Sequence, residues 1–190
     1  MDKVKEKMKI DASLKFQGSL PTSSDDLLVN LNNWNIKYKC YNHPPLRTVE
    51  ESKKYQEQVL SSSSSSAHIK NLYLRDHKKN NFLFVTEQDQ KIDLKKISTI
   101  MLAGRLSFGS PERLFEHLGV RPGAVSPFAM INGVKNNVKL FIDLNLKYYT
   151  KIFAHPLVND RTLEITMADL QIFFEKTNVY INWIDSQKLG

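Results

Sequence analysis

A run of six serines, residues 61–66, constrains the fold of this chain more than any other feature. Such a polar run is typical of a linker between two domains or of a loop inside one domain. As a linker it would leave residues 1–60 to fold alone, and a unit of that size buries little surface and would be only marginally stable by itself. A loop inside one domain costs only modest closure entropy. The sequence therefore favours a mobile loop at 61–66 within a single domain.

Segments with strand and helix periodicity lie on both sides of this loop. Alternating or short apolar runs predict strands at 36–41, 68–76, 82–87, 125–132, 138–144, 162–167 and 179–184. Capping residues before apolar positions at helical spacing predict helices at 22–36, 48–60, 93–103, 110–119 and 167–178. This mixed order predicts an α+β domain over 22–186 with one central sheet flanked by helices, preceded by a basic tail at 1–21.

The bulk composition excludes several classes of protein. The chain has 190 residues, of which 41% are hydrophobic, as expected of a globular domain with a core. Its apolar runs are far shorter than the roughly 18 residues of a membrane span, and the N-terminus lacks a signal-peptide core, so we expect a soluble cytoplasmic protein. The net charge of +7 suits a polyanionic partner such as nucleic acid, although a merely basic soluble protein would look the same.

The common catalytic signatures are absent from the sequence. It has no phosphate-binding glycine loop, no G-x-S-x-G elbow and no histidine pair at metal-ligand spacing, so we expect neither a cofactor nor a metal. Cys40 is the one cysteine and lies in an alternating strand, which indicates a core thiol and not a nucleophile.

Three segments remain that could carry chemistry. Lys70 and Asn71 follow the serine run in a predicted strand, where Lys70 is either a solvated edge lysine or an anchor for a phosphate or carbonyl group. Residues 123–127 form a stiff G-x-x-x-P turn, which is either a plain connection or a pocket wall made of backbone. His155 precedes a proline, which favours extended backbone, so this histidine is expected to project from a strand end or loop.

Taken together, these segments resemble the YbaK/prolyl-tRNA synthetase-associated family of aminoacyl-tRNA deacylases. The resemblance is carried by HPPLRTVEES, HIKNLYLRD, AGRLSFGSPERLFEHLGVRPGAVSPFAMIN and HPLVNDRT, which occur in the family's order and span roughly residues 23–184. The branch that the chain is most similar to is that of the free-standing prolyl-tRNA editing proteins. Ser66 departs from the family pattern, in which glycine often stands at this position.

The resemblance implies a single α+β domain with a mixed sheet, acting as a metal-independent hydrolase that removes alanine from mischarged proline tRNA. It implies that the catalytic residues are Lys70, which would anchor the terminal nucleotide, and His155, which would either bound the pocket or form a hydrogen bond to the substrate. The substrate-binding residues that it implies are Asn71, Gly123, Ala124, Val125, Ser126, Pro127 and Asn132. Hydrolysis would be substrate-assisted, with the free hydroxyl of the terminal adenosine helping to activate a water.

Specificity and partners follow from the same resemblance. A small pocket would admit alanine and exclude proline, and such a second sieve is needed because discrimination by a methylene group is worth only about 1–3 kcal/mol. The basic surface would hold the acceptor stem of proline tRNA through its phosphates. Prolyl-tRNA synthetase or an elongation factor is a further expected partner. The alternatives are clearance of cysteine or another small amino acid by the same fold, and a non-catalytic RNA-binding module.

Overall fold

The computed structural model describes residues 11–46, 51, 53–55 and 65–186, which form one domain around an eight-stranded sheet. The strands are β1 (Tyr38–Asn42), β2 (Ser66–Arg75), β3 (Asn81–Glu87), β4 (Ser107–Phe108), β5 (Lys139–Asp143), β6 (Lys151–Ala154), β7 (Arg161–Ile165) and β8 (Ile181–Ile184). The helices are α1 (Ser24–Asn33), α2 (Leu94–Ile100), α3 (Pro111–Leu118), α4 (Met130–Gly133) and α5 (Met167–Lys176). Short 3-10 helices lie at Leu14–Ser19, Pro127–Ala129, Val134–Asn136 and Leu144–Tyr148.

The sheet has the order β1-β7-β6-β2-β3-β5-β8. Strand β4 lies off this path and pairs with the end of β2, whereas β6 pairs with the start of β2. Parallel pairs join β6 to β2, β3 to β5 and β5 to β8, and the other pairs are antiparallel. The predicted α+β fold with a mixed central sheet is thus confirmed. Strand β1 precedes the serine run and pairs with β7 near the other end of the chain, so the two sides of the run belong to one domain.

The end of the serine run is part of this sheet. Ser66 begins β2 opposite Lys151, and the carbonyl of Ser65 accepts a hydrogen bond from the backbone of Thr150 at 2.8 Å. Residues 61–64 of the predicted loop lie outside the described residues. The position at which the sequence departs from its family is therefore an ordinary strand residue.

Both faces of the central strands are buried, because helices cover the sheet on two sides. Leu83 and Val85 of β3 belong to a large cluster with residues of α1, α3, α4 and α5. Phe82 and Phe84 of the same strand belong to a smaller cluster formed with α2. Each large side chain buried in this way stabilises the fold by about 1.5–3 kcal/mol, before the entropy of ordering it is counted.

Capping residues fix the helix ends where the sequence predicts them. Ser23 and Asp26 form a reciprocal capping box at the start of α1. Ser110 caps α3 ahead of a proline at its first position, and Gly119 ends α3 in the left-handed conformation, with φ +68°.

The strand predicted at 125–132 is wrong. Pro127 opens a 3-10 helix that continues directly into α4, and Phe128, Ala129 and Met130 are all buried. A short continuous apolar run does not distinguish a buried strand from a buried helix, because neither leaves a polar face to mark its period. Strands β4 and β6, which the sequence did not predict, are short. Of the helix predicted at 48–60, only residues 51 and 53–55 are described, and they are helical.

Residues 11–21, which the sequence assigned to a basic tail, pack against the domain. The carboxylate of Asp160 accepts the backbone N–H of Leu14 at 2.8 Å, and Arg121 donates to the hydroxyl of Ser19 at 2.8 Å. The packed unit therefore begins before residue 22, and residues 1–10 lie outside the described residues. Across the part of the chain that the structure describes, no helix is long and apolar enough to cross a membrane.

Candidate functional site

Strand β2 changes neighbours along one of its edges, and this leaves a gap in the sheet. On that edge β6 pairs only with the start of β2 and β4 only with its end. The carbonyl of His68 accepts from Gln88 on the β3 side, whereas the carbonyl of Tyr73 accepts from Gly109 on the β4 side. Backbone groups of successive strand residues alternate between the two edges, so the N–H and C=O of Asn71 face the gap.

Two cavities flank this gap, and Asn71 lines both of them. The first, which we call the histidine cavity, measures about 80 Å³ and is lined by Leu46, Tyr55, His68, Ile69, Asn71, Gln88, Phe153, Ala154, His155 and Thr162. The second, which we call the Phe108 cleft, measures about 320 Å³ and is lined by Asn71, Leu72, Tyr73, Phe108, Gly109, Pro111, Leu114, Pro122, Gly123 and Val125.

The side chain of Asn71 lies between the two cavities with an unused acceptor. Asn71 shares a sheet face with Ile69 and Tyr73, and its amide oxygen is buried without a hydrogen-bond partner in the described part of the chain. Leaving a buried polar atom unpaired costs about 1–3 kcal/mol, so such an atom calls for an explanation. A ligand group that donates hydrogen bonds, such as an ammonium or a hydroxyl, would remove this cost.

His155 follows the last residue of β6, as the sequence predicted for a histidine at a strand end. Its Nδ1 lies 2.7 Å from the carbonyl oxygen of Arg161, which only accepts, so Nδ1 carries the proton. In the neutral ring Nε2 is then an acceptor. Burial lowers the pKa of His155, and the nearby His43 lowers it further. The cavity therefore holds a neutral imidazole.

A second histidine, His43, lies close to His155. Nδ1 of His43 lies 2.9 Å from the carbonyl of Pro44, so its Nε2 accepts a hydrogen bond from the hydroxyl of Thr162, also at 2.9 Å. The rings of His43 and His155 are 6.0 Å apart, and the ring of Tyr55 lies 4.7 Å from that of His43. Burial lowers the pKa of His43 as well.

The sequence did not single out His43 or Thr162 as site residues. His43 lies in the HPPL segment that carries the family resemblance, but the sequence places no second histidine at metal-ligand spacing from it. The two residues are 119 positions apart, and only the pairing of β1 with β7 brings them together. No local pattern in the sequence signals this contact.

His68 forms the opposite wall of the histidine cavity. Its ring stacks on that of Phe153 with the centroids 4.5 Å apart, since the two residues are neighbours on adjacent parallel strands. Burial lowers the pKa of His68 to about 4. Its Nε2 is also buried without a partner in the described residues.

The G-x-x-x-P segment contributes to the Phe108 cleft through part of its length. Gly123 and Val125 line the cleft, whereas Ala124, Ser126 and Pro127 are buried and line neither cavity. Gly123 has a φ of +92°, which side chains rarely adopt, and a Cβ there would lie 3.5 Å from the amide nitrogen of Asn159. Glycine is thus required by the backbone conformation and not by crowding.

The structure does not bring Lys70 and Asn132 into either cavity. Lys70 lies on the opposite face of β2 from Asn71, and its ammonium donates to the carbonyl of Gln90. The amide of Asn132 accepts from Thr22 at 2.9 Å and donates to the carbonyl of Leu118 at 3.3 Å. Both polar ends of Asn132 are thus used in holding α4 against its neighbours.

The thiol of Cys40 and the possible metal ligands remain to be considered. Burial raises the pKa of the Cys40 thiol, which suits a packed side chain and not a nucleophile. Among the described residues, no three His, Cys, Asp or Glu side chains gather as a metal site would require.

Comparison with known proteins identifies the family of the chain. The aminoacyl-tRNA editing domain family matches residues 43–173. The prolyl-tRNA editing protein ProX of Acetoanaerobium sticklandii is 34% identical over 146 residues, covering 76% of this chain and 86% of that protein. The prolyl-tRNA synthetase associated domain-containing protein 1 of Danio rerio is 34% identical over 149 residues, covering 77% and 78% of the two chains.

Solved structures share the fold. A candidate trans-editing enzyme for prolyl-tRNA synthetase superimposes with a TM-score of 0.62 over 85% of this chain and 96% of its own, at 20% identity. The family match spans more than half of the chain and includes His43, His68 and His155. The chain therefore belongs to the aminoacyl-tRNA editing domain family.

Proposed function

We propose that this protein is a trans-editing aminoacyl-tRNA deacylase that hydrolyses alanine mischarged onto proline tRNA. The observation that carries the proposal is the histidine cavity, which is small and is lined by Asn71 and His68, whose buried amide oxygen and Nε2 have no hydrogen-bond partner among the described residues. Its volume of about 80 Å³ is below the 300–1,000 Å³ typical of pockets for larger ligands. The prolyl-tRNA editing function of the relative ProX supports the choice of tRNA.

The free amino group of an aminoacyl ester is an ammonium at neutral pH, and it matches the acceptors of this cavity. The amide oxygen of Asn71 and Nε2 of neutral His155 would each take a hydrogen bond from it. Hydrogen bonds to a charged group are worth about 1.5–3 kcal/mol. They would hold the ester carbonyl at the gap in the sheet, where the backbone N–H of Asn71 can polarise it.

The reaction adds one water across the ester. The water oxygen bonds to the carbonyl carbon, the bond from that carbon to the ribose oxygen breaks, and a proton passes to the ribose oxygen. We propose that the neighbouring free hydroxyl of the terminal ribose positions the water. The protein then supplies orientation and polarisation, which can lower the barrier by several kcal/mol.

A competing route would use Thr162, whose hydroxyl donates to Nε2 of His43 as an activated nucleophile would. The Thr162 oxygen would bond to the carbonyl carbon, the bond from that carbon to the ribose oxygen would break, and the Thr162 proton would pass through His43 to the ribose oxygen. Water would then cleave the Thr162 ester and restore the hydroxyl. Thr162→Val keeps the shape of the side chain and removes the hydroxyl. Retention of most of the turnover supports direct attack by water, and loss of single-turnover acyl transfer in this variant supports the covalent route.

Lys70 keeps the role of anchor for the terminal nucleotide in this proposal. To reach the substrate, its ammonium must leave the carbonyl of Gln90. Lys70→Ala should abolish deacylation with the fold intact. Lys96→Ala, which removes an exposed lysine of α2, is the matched control for the loss of one positive charge.

The decisive experiment is deacylation of alanyl-, cysteinyl-, seryl- and prolyl-tRNA, all carrying the proline anticodon, with and without EDTA. Selective release of alanine in both conditions supports the proposal, and release of cysteine or serine moves the specificity within the same fold. No release from any of these tRNAs would contradict it and favour a non-catalytic RNA-binding module. Binding should also weaken steeply with added salt, because phosphate contacts release counterions.

A further inference from the structure

We propose that the turn between β2 and β3, together with the loop beside it, binds the phosphate backbone of the acceptor stem of the tRNA. Four cationic side chains make up this surface, which we call the hairpin surface: Arg75, Lys78, Lys79 and Arg105. The inference rests on the proposed function and locates the stem on the protein. The ligand class is a double-stranded RNA backbone, and contacts to its phosphates position the tRNA without reading its sequence.

The charges of the hairpin surface are available to a polyanion. Arg75 is half-buried, and the other three side chains are exposed. Among the residues that the structure describes, no carboxylate forms an ion pair with any of the four, whereas Lys53 and Lys151 each have such a partner. The acid next to Arg75 in the chain, Asp76, is buried, and its carboxylate accepts hydrogen bonds from Asn80. The surface therefore carries a net positive charge that attracts phosphates.

The hairpin surface lies on the same side of the sheet as Asn71. Successive side chains of a strand alternate between its two faces, so Arg75 shares a face of β2 with Asn71 and Tyr73. Four residues of strand place Arg75 about 13 Å from Asn71, and the turn lies beyond it. An RNA chain whose 3′ end carries the ester at Asn71 would therefore reach the hairpin surface with nucleotides that precede its last one.

The turn holds its lysines in a fixed conformation. The backbone N–H of Lys79 donates to the carbonyl of Asp76 at 3.1 Å, and Arg113 of α3 donates to the side-chain oxygen of Asn81, directly after the turn, at 2.8 Å. Lys79 has a φ of +66°, a left-handed conformation that glycine adopts without strain and lysine does not. A lysine at a position that favours glycine calls for a function of its side chain, and a phosphate contact supplies one.

The test is the salt dependence of tRNA binding, because its slope counts phosphate contacts. The probe is uncharged tRNA with the proline anticodon, and its binding to the full chain is followed by fluorescence anisotropy across a salt series. In the double variant Lys78→Gln, Lys79→Gln the slope of log K against log salt should become shallower by about 2, one for each lysine. The affinity at low salt should fall roughly 10-fold or more.

The matched control is the double variant Lys95→Gln, Lys96→Gln. It removes an adjacent pair of exposed lysines from α2, which packs on the opposite face of the sheet, so its salt slope should equal that of wild type. An unchanged slope in the hairpin variant, or an equal loss of slope in the two variants, would overturn the inference. Binding of poly-glutamate that depends on the two hairpin lysines as strongly would show a general anion surface and would also overturn it.

A single substitution separates a phosphate contact from a structural role. Lys79→Gly removes the charge and relieves the left-handed strain, so Tm should stay the same or rise while the salt slope becomes shallower by about 1. A lower Tm with an unchanged slope would make Lys79 structural and overturn its assignment. These binding measurements need no catalysis, so inactive wild-type protein that binds tRNA through this surface would contradict the proposed function alone. In active protein, the hairpin variant should raise KM with kcat nearly unchanged.

Discussion

The histidine cavity and the Phe108 cleft share one asparagine but differ in nearly every other respect. The cavity is small and polar, with the rings of His68 and His155 in its walls and His43 behind them. The cleft is larger and apolar, and the ring of Phe108 is exposed at it. The difference shows how one gap in a sheet can open on two cavities that differ in size and polarity.

The largest expected effect tests the residue that the two regions share. Asn71→Ala should lower kcat/KM for alanyl-tRNA by about 10- to 100-fold, because it removes an acceptor for a charged group. Its free energy of unfolding should stay the same or rise, since the amide oxygen has no partner among the described residues. Deacylation kinetics and urea unfolding measure the two quantities.

Asn132→Ala provides the opposite pattern as a control. It removes the hydrogen bonds to Thr22 and Leu118, so unfolding should become easier by about 1–3 kcal/mol while kcat/KM of the folded protein is unchanged. An Asn71→Ala variant that is less stable but fully active would break the comparison, because it would make both asparagines structural.

The next prediction concerns the pH dependence of the free energy of unfolding, to which the histidine cavity should contribute and the apolar cleft should not. Unfolded His68 binds a proton below about pH 6.5, whereas burial keeps the folded side chain neutral down to about pH 4. The free energy of unfolding should therefore fall as the pH drops from about 6.5 to about 4. His43 and His155, whose pKa values are also lowered by burial, contribute in the same direction.

Thermal unfolding across this pH range, in wild type and in His68→Phe, measures the contribution of His68. The phenylalanine keeps the stacking on Phe153 and removes the proton, so the stability of this variant should depend less on pH. Equal pH dependence in the two proteins would show that the cavity does not hold His68 in its neutral form.

The smallest effect concerns the cleft wall. Gly123→Ala should lower the free energy of unfolding by about 1–2 kcal/mol, because its φ of +92° disfavours a side chain although the nearest atom is 3.5 Å away. For a domain of this size that corresponds to a decrease in Tm of about 2–8 °C. Gly18→Ala is the control, since nothing lies within 4 Å of its added Cβ and its φ is not positive.

Gly123→Val separates strain from obstruction of the cleft. It should lose at least as much stability, because a β-branched residue is strained at positive φ, and it should also lose turnover, because its methyl groups extend further than that of alanine. If its turnover equals that of Gly123→Ala, then Gly123 does not form a wall of the substrate site.

Much of the fold could be predicted from the sequence, because local signals agreed with the global arrangement. The capping residues at α1 and α3 and the β2–β3 hairpin follow from neighbouring residues alone. The segment at 125–132 could not be predicted, because a buried proline and a continuous apolar run give no period to read. Of the residues that the sequence proposes for the site, Asn71, His155, Gly123 and Val125 line the two cavities and Lys70 and Asn132 do not, and the roles of all six stay predictions.

The sequence by itself determined which residues alternate across β2, and hence that Lys70 and Asn71 point to opposite faces. Only the tertiary structure decided where along β2 the cavities open, because that depends on where β6 stops and β4 begins along the same edge. It also decided that Thr162 meets His43 across 119 positions of the chain. Periodicity is a property of neighbours in the chain, whereas a site is assembled by strand pairing between distant segments.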